Sequence, residues 1–347
     1  MISWFLDTKV LKKMNKIAVI DTGINLDYRE FKGKKIEIYH VKEEMFCKDF
    51  NGHGTSCCAE ILKYNPQASL VVIPVLDINC TCRLSELYDA LVYCCNSTEI
   101  GIVNLSLACN INDRNIIKIF AMLMDKILKK GKIVVASDKN KKLNAECVYP
   151  YDFPNVLGVQ KSNNSIYNIV YDECSNNCEI TMDEFFMPYK DEKYMIYHGN
   201  SSMAAKVTGL LSYELRKLNT KRISMQELIN LCNIRLQQDD RAEKVFCSNG
   251  HIRDIQTLYK DLVNLWFLFL DKRNEEMKQS EESVRVYYES NGGDFLKAVE
   301  KELDLKFDFR GIMMDDFKSL SRLIRKCLYL SFKGPVDERS KDQGVFN

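Results

Sequence analysis

A serine at the start of a run of small and apolar residues is the first feature of the sequence that could do chemistry. The run extends from Gly199 to Gly209 and opens with two adjacent serines, Ser201 and Ser202. Gly199 suits a sharp turn, and a helix that begins there presents free N–H groups and a dipole that favour negative charge. A hydroxyl in this place could attack a carbonyl and leave the oxyanion beside those donors. A serine that merely caps a buried helix has the same sequence, so the run alone leaves both interpretations open.

Two further segments carry an acid and an imidazole. The first is a short apolar run that ends at Asp21 and is followed by Gly23, a pattern typical of a buried strand and a turn. The second places His53 between two glycines, just before a predicted helix. Taken singly, Asp21 could be a capping charge and His53 a surface loop histidine.

In order along the chain, the motifs Asp-Thr-Gly, His-Gly-Thr and Gly-x-Ser resemble those of the subtilisin-like serine peptidases, the subtilases. The resemblance implies a triad in which Ser201 attacks, His53 transfers the proton and Asp21 orients the imidazole. The family pattern Gly-Thr-Ser-Met-Ala-x-Pro-His-Val-x-Gly, laid without a gap on Gly199 to Gly209, puts the nucleophile on Ser201. Ser202 stays as the alternative, because matching the letters Ser-Met-Ala instead requires a deletion inside a helix.

Two more segments are similar to subtilase site motifs. Asn140 falls on the family asparagine whose side-chain amide binds the oxyanion, and the resemblance implies that role here. The segment Ser106, Leu107 and Ala108 corresponds to the family strand that pairs with the substrate backbone. Cys109 replaces a glycine in the floor of the family's first specificity pocket, which would narrow that pocket.

The sequence also departs from the family pattern. Ala205 and Lys206 replace a Pro-His pair, His198 replaces an asparagine, and Lys139 replaces the glycine before the oxyanion asparagine. These departures favour a second interpretation, in which the chain is a catalytically inactive subtilase-fold scaffold that binds peptides or partner proteins.

The elements that must position these residues alternate between apolar strands and helices from Lys16 to Leu218. This alternation predicts an α/β fold of three layers, with a mostly parallel central sheet flanked by helices as in subtilisin. Asp21 and Asn140 each follow a strand, and Ser201 begins a helix. We therefore expect all three at the carboxyl edge of the sheet. The polar segment from Ser162 to Lys193 is predicted to form hairpins and loops at the rim.

After about Thr220 the alternation of strands and helices gives way to a pattern of predicted helices. We predict a peptidase domain over residues 1–245, a small helical domain over 246–338 and a disordered tail over 339–347. The candidate helices of the second domain are 258–270, 294–303 and 317–330. The segment before the last of these is faintly similar to an acyl or peptidyl carrier domain, but no serine for the prosthetic arm is evident. An interaction module that recruits a precursor peptide or a partner protein is the favoured interpretation.

Charge and hydropathy limit the classes of partner. The chain has 49 Lys and Arg residues against 48 Asp and Glu residues, so it lacks the excess of positive charge that would attract nucleic acid. No apolar stretch is long enough to span a bilayer, and the first residues do not resemble a secretory signal. The subtilase resemblance implies a peptide or protein substrate as the partner, and the charge and hydropathy predict neither nucleic acid nor a membrane.

Cysteine content bears on the compartment and on cofactors. The 14 cysteines lack the spacing of a zinc site and are expected as free thiols in the reducing cytoplasm. For Cys57, four residues after His53, packing is favoured over catalysis. The predicted chemistry needs no metal or organic cofactor, and no oxygen-rich loop places the structural calcium that subtilases often bind. The overall prediction is an intracellular processing protease that removes leader peptides during peptide maturation.

Overall fold

The computed structural model describes residues 5–42, 48–109, 111–139, 147–162, 168–191, 193–248, 292–301, 306–313, 316–317, 323, 326–327 and 330. The chain divides into two compact units. The first unit comprises residues 1–183, 188–192 and 197–238, and the second comprises 184–187, 193–196 and 239–347. The domain boundary expected at residue 245 stays a prediction.

The order of elements alternates between strands and helices through most of the first unit. The strands are β1 (Phe5–Asp7), β2 (Lys16–Asp21), β3 (Lys35–Ile38), β4 (Ser69–Pro74), β5 (Ile100–Leu105), β6 (Ile133–Ser137), β7 (Leu157–Lys161), β8 (Asn168–Asp172), β9 (Asn177–Thr181), β10 (Phe185–Pro188), β11 (Tyr194–Tyr197) and β12 (Arg222–Ser224). The helices are α1 (Thr8–Lys13), α2 (His53–Tyr64), α3 (Leu84–Asn96), α4 (Arg114–Lys129), α5 (Asn200–Lys217) and α6 (Met225–Ser248).

Eight strands form one sheet in the order β3-β4-β2-β5-β6-β7-β9-β8. Every neighbouring pair is parallel except β8 and β9, which are antiparallel at one edge. The expectation of a mostly parallel sheet is therefore confirmed. The polar segment after Ser162 does form a hairpin at the rim, but its second strand joins the main sheet beside β7, which the sequence analysis did not predict.

Helices cover both faces of this sheet. On one face, side chains of β2 such as Ala18 and Ile20 share a buried cluster with Leu91 of α3 and Met124 of α4. On the other face, α5 packs against α2 and against strands β5 to β7. Every residue of α5 from 202 to 211 is buried. A Cβ at Gly209 would lie 2.8 Å from the carbonyl oxygen of Ile61 in α2, so glycine lets these two helices approach closely.

The chain segments that carry the candidate site residues lie at the carboxyl edge of the sheet. Strand β2 ends at Asp21, β5 ends one residue before Ser106, and β6 ends at Ser137. Helix α2 begins at His53 and α5 begins at Asn200. The parallel arrangement thus brings loops that are distant in sequence to one edge, as expected for an α/β protein.

The second unit contains a helical segment over residues 292–301 and a short 3₁₀ helix at Phe309–Gly311. Its described aromatic rings pack together, with ring centres of Phe186 and Phe317 5.5 Å apart and those of Tyr194 and Phe309 4.7 Å apart. The helix predicted at 294–303 corresponds to 292–301. The candidate helix at 258–270 and most of the one at 317–330 lie outside the described residues. Among the helices that are described, none is long and apolar enough to cross a membrane.

Candidate active site

Asp21 ends β2 in a fully buried position and is the centre of a dense set of contacts. Its Oδ1 lies 2.7 Å from Nδ1 of His53 and accepts the backbone N–H of Thr22 at 2.8 Å. Its Oδ2 lies 3.4 Å from the Cys57 thiol, which donates to it. A buried carboxylate with donors on both oxygens has a fixed orientation. Because Nδ1 of His53 is held by a carboxylate, its Nε2 is the nitrogen left to exchange protons.

His53 is held in place by the turn that precedes α2. Gly52 has φ +93°, and a Cβ there would lie 2.6 Å from the backbone nitrogen of Lys190. The buried carboxylate of Asp49 accepts four hydrogen bonds of 2.7 to 3.0 Å from this turn. The donors are the backbone N–H groups of Asn51, Gly52 and Thr55, and the Thr55 hydroxyl.

Asp49 was not singled out from the sequence. The available signal was an acidic residue shortly before a glycine turn and a helix, which is typical of an N-terminal cap.

The acid-bearing and base-bearing turns touch through their main chains. The hydroxyl of Thr22 accepts the backbone N–H of Gly54 at 2.9 Å. A Cβ on Gly54 would lie 2.3 Å from the carbonyl oxygen of Gly23. Glycine at position 54 is therefore required for the first turn of α2 to lie against the turn that follows β2.

The two adjacent serines differ in exposure. Ser201 is partly exposed near the start of α5, after Gly199 with φ +85°. Its hydroxyl donates to the carbonyl oxygen of Ser106 at 3.0 Å, and the Ser106 hydroxyl donates to the carbonyl oxygen of Ser201 at 3.0 Å. Ser202 is fully buried, and its hydroxyl has no hydrogen-bond partner among the described residues. The difference in exposure favours Ser201 as the hydroxyl that a substrate can reach.

Nε2 of His53 contacts a tyrosine. The hydroxyl of Tyr197 lies 3.4 Å from Nε2 and 2.8 Å from Sγ of Cys57. The ring of Tyr197 stands edge-on to the imidazole, with ring centres 5.6 Å apart. Asp21 therefore contacts His53, whereas the hydroxyl of Ser201 donates to the carbonyl oxygen of Ser106. Neither Tyr197 nor its contact with His53 was expected from the sequence, since the two residues lie 144 positions apart.

These contacts change the acidity of the buried groups. Burial lowers the pKa of His53, but the charge of Asp21 and the contacts with Asp21 and Cys57 outweigh it, so the pKa lies well above 6.5. Burial, together with the charge of Asp21, raises the pKa of the Cys57 thiol to about 12. Burial and the charges of Cys57 and Asp21 raise the pKa of Tyr197 well above 10. Cys57 and Tyr197 therefore remain protonated near neutral pH, and Cys57 is not a thiolate nucleophile.

The predicted substrate segment leaves the carboxyl end of β5. Ser106 and Leu107 are buried, and Ala108 is exposed. Two hydrogen bonds hold Ser106 in place. Its hydroxyl accepts an N–H of the Asn104 side-chain amide at 3.0 Å, and the hydroxyl of Thr208 in α5 donates to the oxygen of that amide at 2.9 Å. Just beyond, the backbones of Cys109 and Tyr149 bond to each other in both directions.

Asn140, the expected oxyanion donor, lies outside the described residues. The residue before it, Lys139, is tied to the serine helix, because the side-chain amide of Asn200 donates to its carbonyl oxygen at 3.1 Å. The oxygen of the same amide accepts the backbone N–H of Lys161 at 2.7 Å. Asn200 therefore anchors the start of α5 to the ends of β6 and β7, a role that the sequence analysis missed.

One group of histidine, cysteine and acidic side chains within the described residues is compact enough to share a metal ion. It consists of Asp21, His53 and Cys57, whose candidate ligand atoms lie within 4.8 Å of one another. These atoms already bond to each other, and a thiol with a pKa of about 12 is a poor ligand until it loses its proton. We therefore interpret the group as a proton network.

The chain is similar to known proteins both in sequence and in fold. A sequence model described as the subtilase family matches residues 12–255. A thermophilic serine proteinase of Bacillus sp. (strain AK1) is 29% identical over 155 residues, which is 42% of this chain. That alignment covers 37% of the relative's own length. A crystal structure of a cold adapted subtilisin-like serine proteinase superposes with a TM-score of 0.51 at 18% identity, covering 62% of this chain and 79% of the other.

Proposed function

This chain belongs to the subtilase family, and on that premise we propose that it is a serine endopeptidase that hydrolyses peptide bonds. Ser201 is the proposed nucleophile, His53 the general base and acid, and Asp21 the residue that orients the imidazole. The observation that supports this most directly is the 2.7 Å contact between Asp21 Oδ1 and His53 Nδ1 at the edge of the sheet where α5 begins. That contact leaves Nε2 facing away from the carboxylate, as acyl transfer by a triad requires.

The proposed reaction has two halves. The oxygen of Ser201 attacks the carbonyl carbon while Nε2 of His53 takes the hydroxyl proton, and the intermediate collapses as Nε2 returns that proton to the leaving amine. Water then attacks the acyl-serine with the same base. For the first half, the hydroxyl of Ser201 must leave the carbonyl of Ser106 and reach Nε2.

The oxyanion of the intermediate needs donors, and we propose the backbone N–H of Ser201 and the side chain of Asn140. The first turn of a helix leaves N–H groups without partners inside the helix, and its dipole favours an anion there. Ser106, Leu107 and Ala108 are proposed to bind the substrate backbone, because they follow β5 beside the start of α5. The chemistry requires no cofactor.

A finer proposal is that the protein processes a specific precursor, such as a leader peptide, inside the cell. Two features support it. The second unit could recruit a partner, and the 12 cysteines whose side chains are described are free thiols, as is usual in a reducing compartment. Incubation with candidate precursors beside casein tests it: selective cleavage of one precursor is expected, and equal digestion of all would contradict it.

The competing proposal is a catalytically inactive scaffold. It is favoured by one observation, namely that the hydroxyl of Ser201 bonds to Ser106 while Nε2 of His53 contacts Tyr197. A scaffold would bind peptides beside Ser106 without cleaving them.

Labelling with a fluorophosphonate separates the two, because this probe reacts only with an activated serine. We expect wild type and Ser202→Ala to be labelled at Ser201, identified by peptide mass, and Ser201→Ala and His53→Ala to stay unlabelled. The measurement is made at several pH values on both sides of neutrality, since the raised pKa of His53 slows labelling in acid. Labelling at Ser202 would identify that residue as the nucleophile in place of Ser201. No labelling at any pH would favour the scaffold.

A further inference from the structure

The contacts around His53 close into a ring of four side chains. Nδ1 of His53 meets Oδ1 of Asp21 at 2.7 Å, and Oδ2 of Asp21 meets the thiol of Cys57 at 3.4 Å. That thiol meets the hydroxyl of Tyr197 at 2.8 Å, and this hydroxyl returns to Nε2 of His53 at 3.4 Å. Asp21 and Cys57 are fully buried, Tyr197 is nearly so, and His53 is partly exposed, so three of the four members are shielded from water.

The number of hydrogens in the ring depends on the charge of the imidazole. The carboxylate brings none, the thiol and the phenol bring one each, and an imidazole brings one when neutral and two when protonated. Four contacts therefore have four hydrogens only when His53 is protonated. In that state Nδ1–H donates to Asp21, the thiol donates to Asp21, the phenol donates to the sulfur, and Nε2–H donates to the phenol oxygen. With a neutral imidazole, one of the four contacts has no hydrogen.

We propose that Tyr197 is a positioning residue that holds His53 in this closed ring, in the place that the Ser201 hydroxyl must take for catalysis. The inference rests on the proposed peptidase function and adds a residue to it. While Tyr197 accepts from Nε2, His53 cannot take the proton of Ser201, whose hydroxyl meanwhile donates to Ser106. The peptidase becomes competent when the phenol leaves Nε2.

Three further groups lie near the ring of four side chains, and none of them takes the place of one of its members. The members come from β2 (Asp21), α2 (His53 and Cys57) and the end of β11 (Tyr197). The charge of Glu60 in α2 contributes to the raised pKa of Tyr197, and the Ser106 hydroxyl lies near Cys57 and slightly lowers the pKa of its thiol. The charge of Asp21 also raises the pKa of the neighbouring Cys58 thiol, after burial. The high pKa of His53 is consistent with the closed ring.

Replacing Tyr197 with phenylalanine tests the proposal, because it removes the hydroxyl and keeps the ring that packs edge-on to His53. The titration of His53 is followed by NMR in full-length protein labelled with ¹³C at histidine Cε1, with its signal assigned from His53→Gln. The chain has four histidines, which makes the assignment practical. We expect the midpoint for His53 in Y197F to fall by about one pH unit.

Fluorophosphonate labelling of Ser201 provides the functional readout. Its pH profile should shift toward acid by the same amount, so that labelling at neutral pH becomes about three- to tenfold faster than in wild type. Tyr171→Phe is the matched control, since that tyrosine loses one hydroxyl bond, to Asn176 at 2.8 Å, that is not part of the ring. It should keep the wild-type titration and labelling profile.

Two variants of Cys57 test the ring at another point and cover the case in which Y197F does not fold. Cys57→Ala removes the acceptor of the Tyr197 hydroxyl, whose hydrogen can then turn toward Nε2 and favour the neutral imidazole, so the midpoint of His53 should fall as it does in Y197F. Cys57→Ser keeps a donor and an acceptor at this point of the ring, so the NMR midpoint of His53 should stay close to that of wild type. An unchanged midpoint of His53 in both Y197F and Cys57→Ala would overturn the proposal.

Failure of the proposed function gives a different result. If the chain is a scaffold, no variant labels at any pH, yet the NMR midpoint of His53 still falls in Y197F when the ring exists. If labelling occurs but slows in Y197F at neutral pH, the hydroxyl of Tyr197 assists His53, and its role as a competitor of Ser201 is refuted.

Discussion

Ser201 and Ser106 bond to each other twice, with each hydroxyl donating to the other residue's carbonyl oxygen at 3.0 Å. This reciprocal pair joins the start of α5 to the end of β5, the two segments that the proposed mechanism uses for attack and for binding substrate. Only the bond donated by Ser201 has to break for catalysis. The bond donated by Ser106 can persist through the reaction.

Ser106→Ala should therefore lower stability more than Ser201→Ala. The Ser106 hydroxyl is buried and also accepts from Asn104, so its loss leaves a buried amide donor unpaired at a cost of about 1–3 kcal/mol. Ser201 is partly exposed, and its loss should cost at most about 1 kcal/mol. Urea unfolding of both variants measures the difference. Equal losses would mean that the Asn104 contact contributes nothing.

Ser202→Ala is expected to be neutral or stabilising. The hydroxyl of Ser202 is fully buried with no partner among the described residues, and leaving such a group unpaired costs about 1–3 kcal/mol. Removing it should raise the free energy of unfolding by up to about 1 kcal/mol, less the small loss of packing. Thermal and urea unfolding provide the measurement. A clear destabilisation would indicate a partner for this hydroxyl that the described residues do not supply.

Asp49→Asn should destabilise the turn before α2. The carboxylate accepts four hydrogen bonds from that turn while buried, and an amide can accept with one oxygen only. We expect a loss of about 2–4 kcal/mol and a lower kcat, because the turn positions His53.

Asp77→Asn is the matched control for Asp49. Asp77 accepts similar bonds from Asn79 and Thr81 in an exposed turn, so its replacement should cost less and leave kcat unchanged. An equal effect at both sites would show that burial of the carboxylate does not matter.

Asp21→Asn should remove most activity, with kcat falling by about 10⁴-fold. The amide no longer supplies the negative charge that raises the pKa of His53, and it can present an N–H that reverses the imidazole tautomer. Steady-state kinetics on a peptide substrate measures the fall. Activity within tenfold of wild type would argue against the triad.

The raised pKa of His53 also makes stability depend on pH. In the unfolded chain this histidine has a pKa near 6.5, and in the fold its pKa is higher, so the folded state binds the extra proton. Its contribution to stability is complete below about pH 6.5 and is lost as pH rises through the folded pKa. The difference in free energy of unfolding between wild type and His53→Gln should shrink over that interval. A difference that grows with rising pH would contradict the raised pKa.

Much of the fold could be predicted because local patterns express it. The apolar runs of β2, β4, β5 and β6 are buried on both faces, and such runs are typical of parallel strands between helices. Strand β7 was not predicted, because only its first three residues are buried and its pairing with β9 is non-local.

The site was less accessible to sequence reasoning. Asp21, His53 and the two serines are carried by recognisable motifs, so their candidacy followed from residue types and order. The contacts of Tyr197 with His53 and Cys57 span 144 and 140 positions and have no local signature. Cys57 was expected to pack in the core, and it is buried, but its thiol also bonds to Asp21. Which polar partner a buried side chain finds depends on the tertiary fold.

The close approach of Gly54 to Gly23 has a consequence for how this chain can vary. Since two main chains abut with no side chain between them, the turn that follows Asp21 and the turn that carries His53 lie as close as backbone contact allows. Any residue larger than glycine at position 54 would push these two turns apart and so separate the carboxylate of Asp21 from the imidazole of His53.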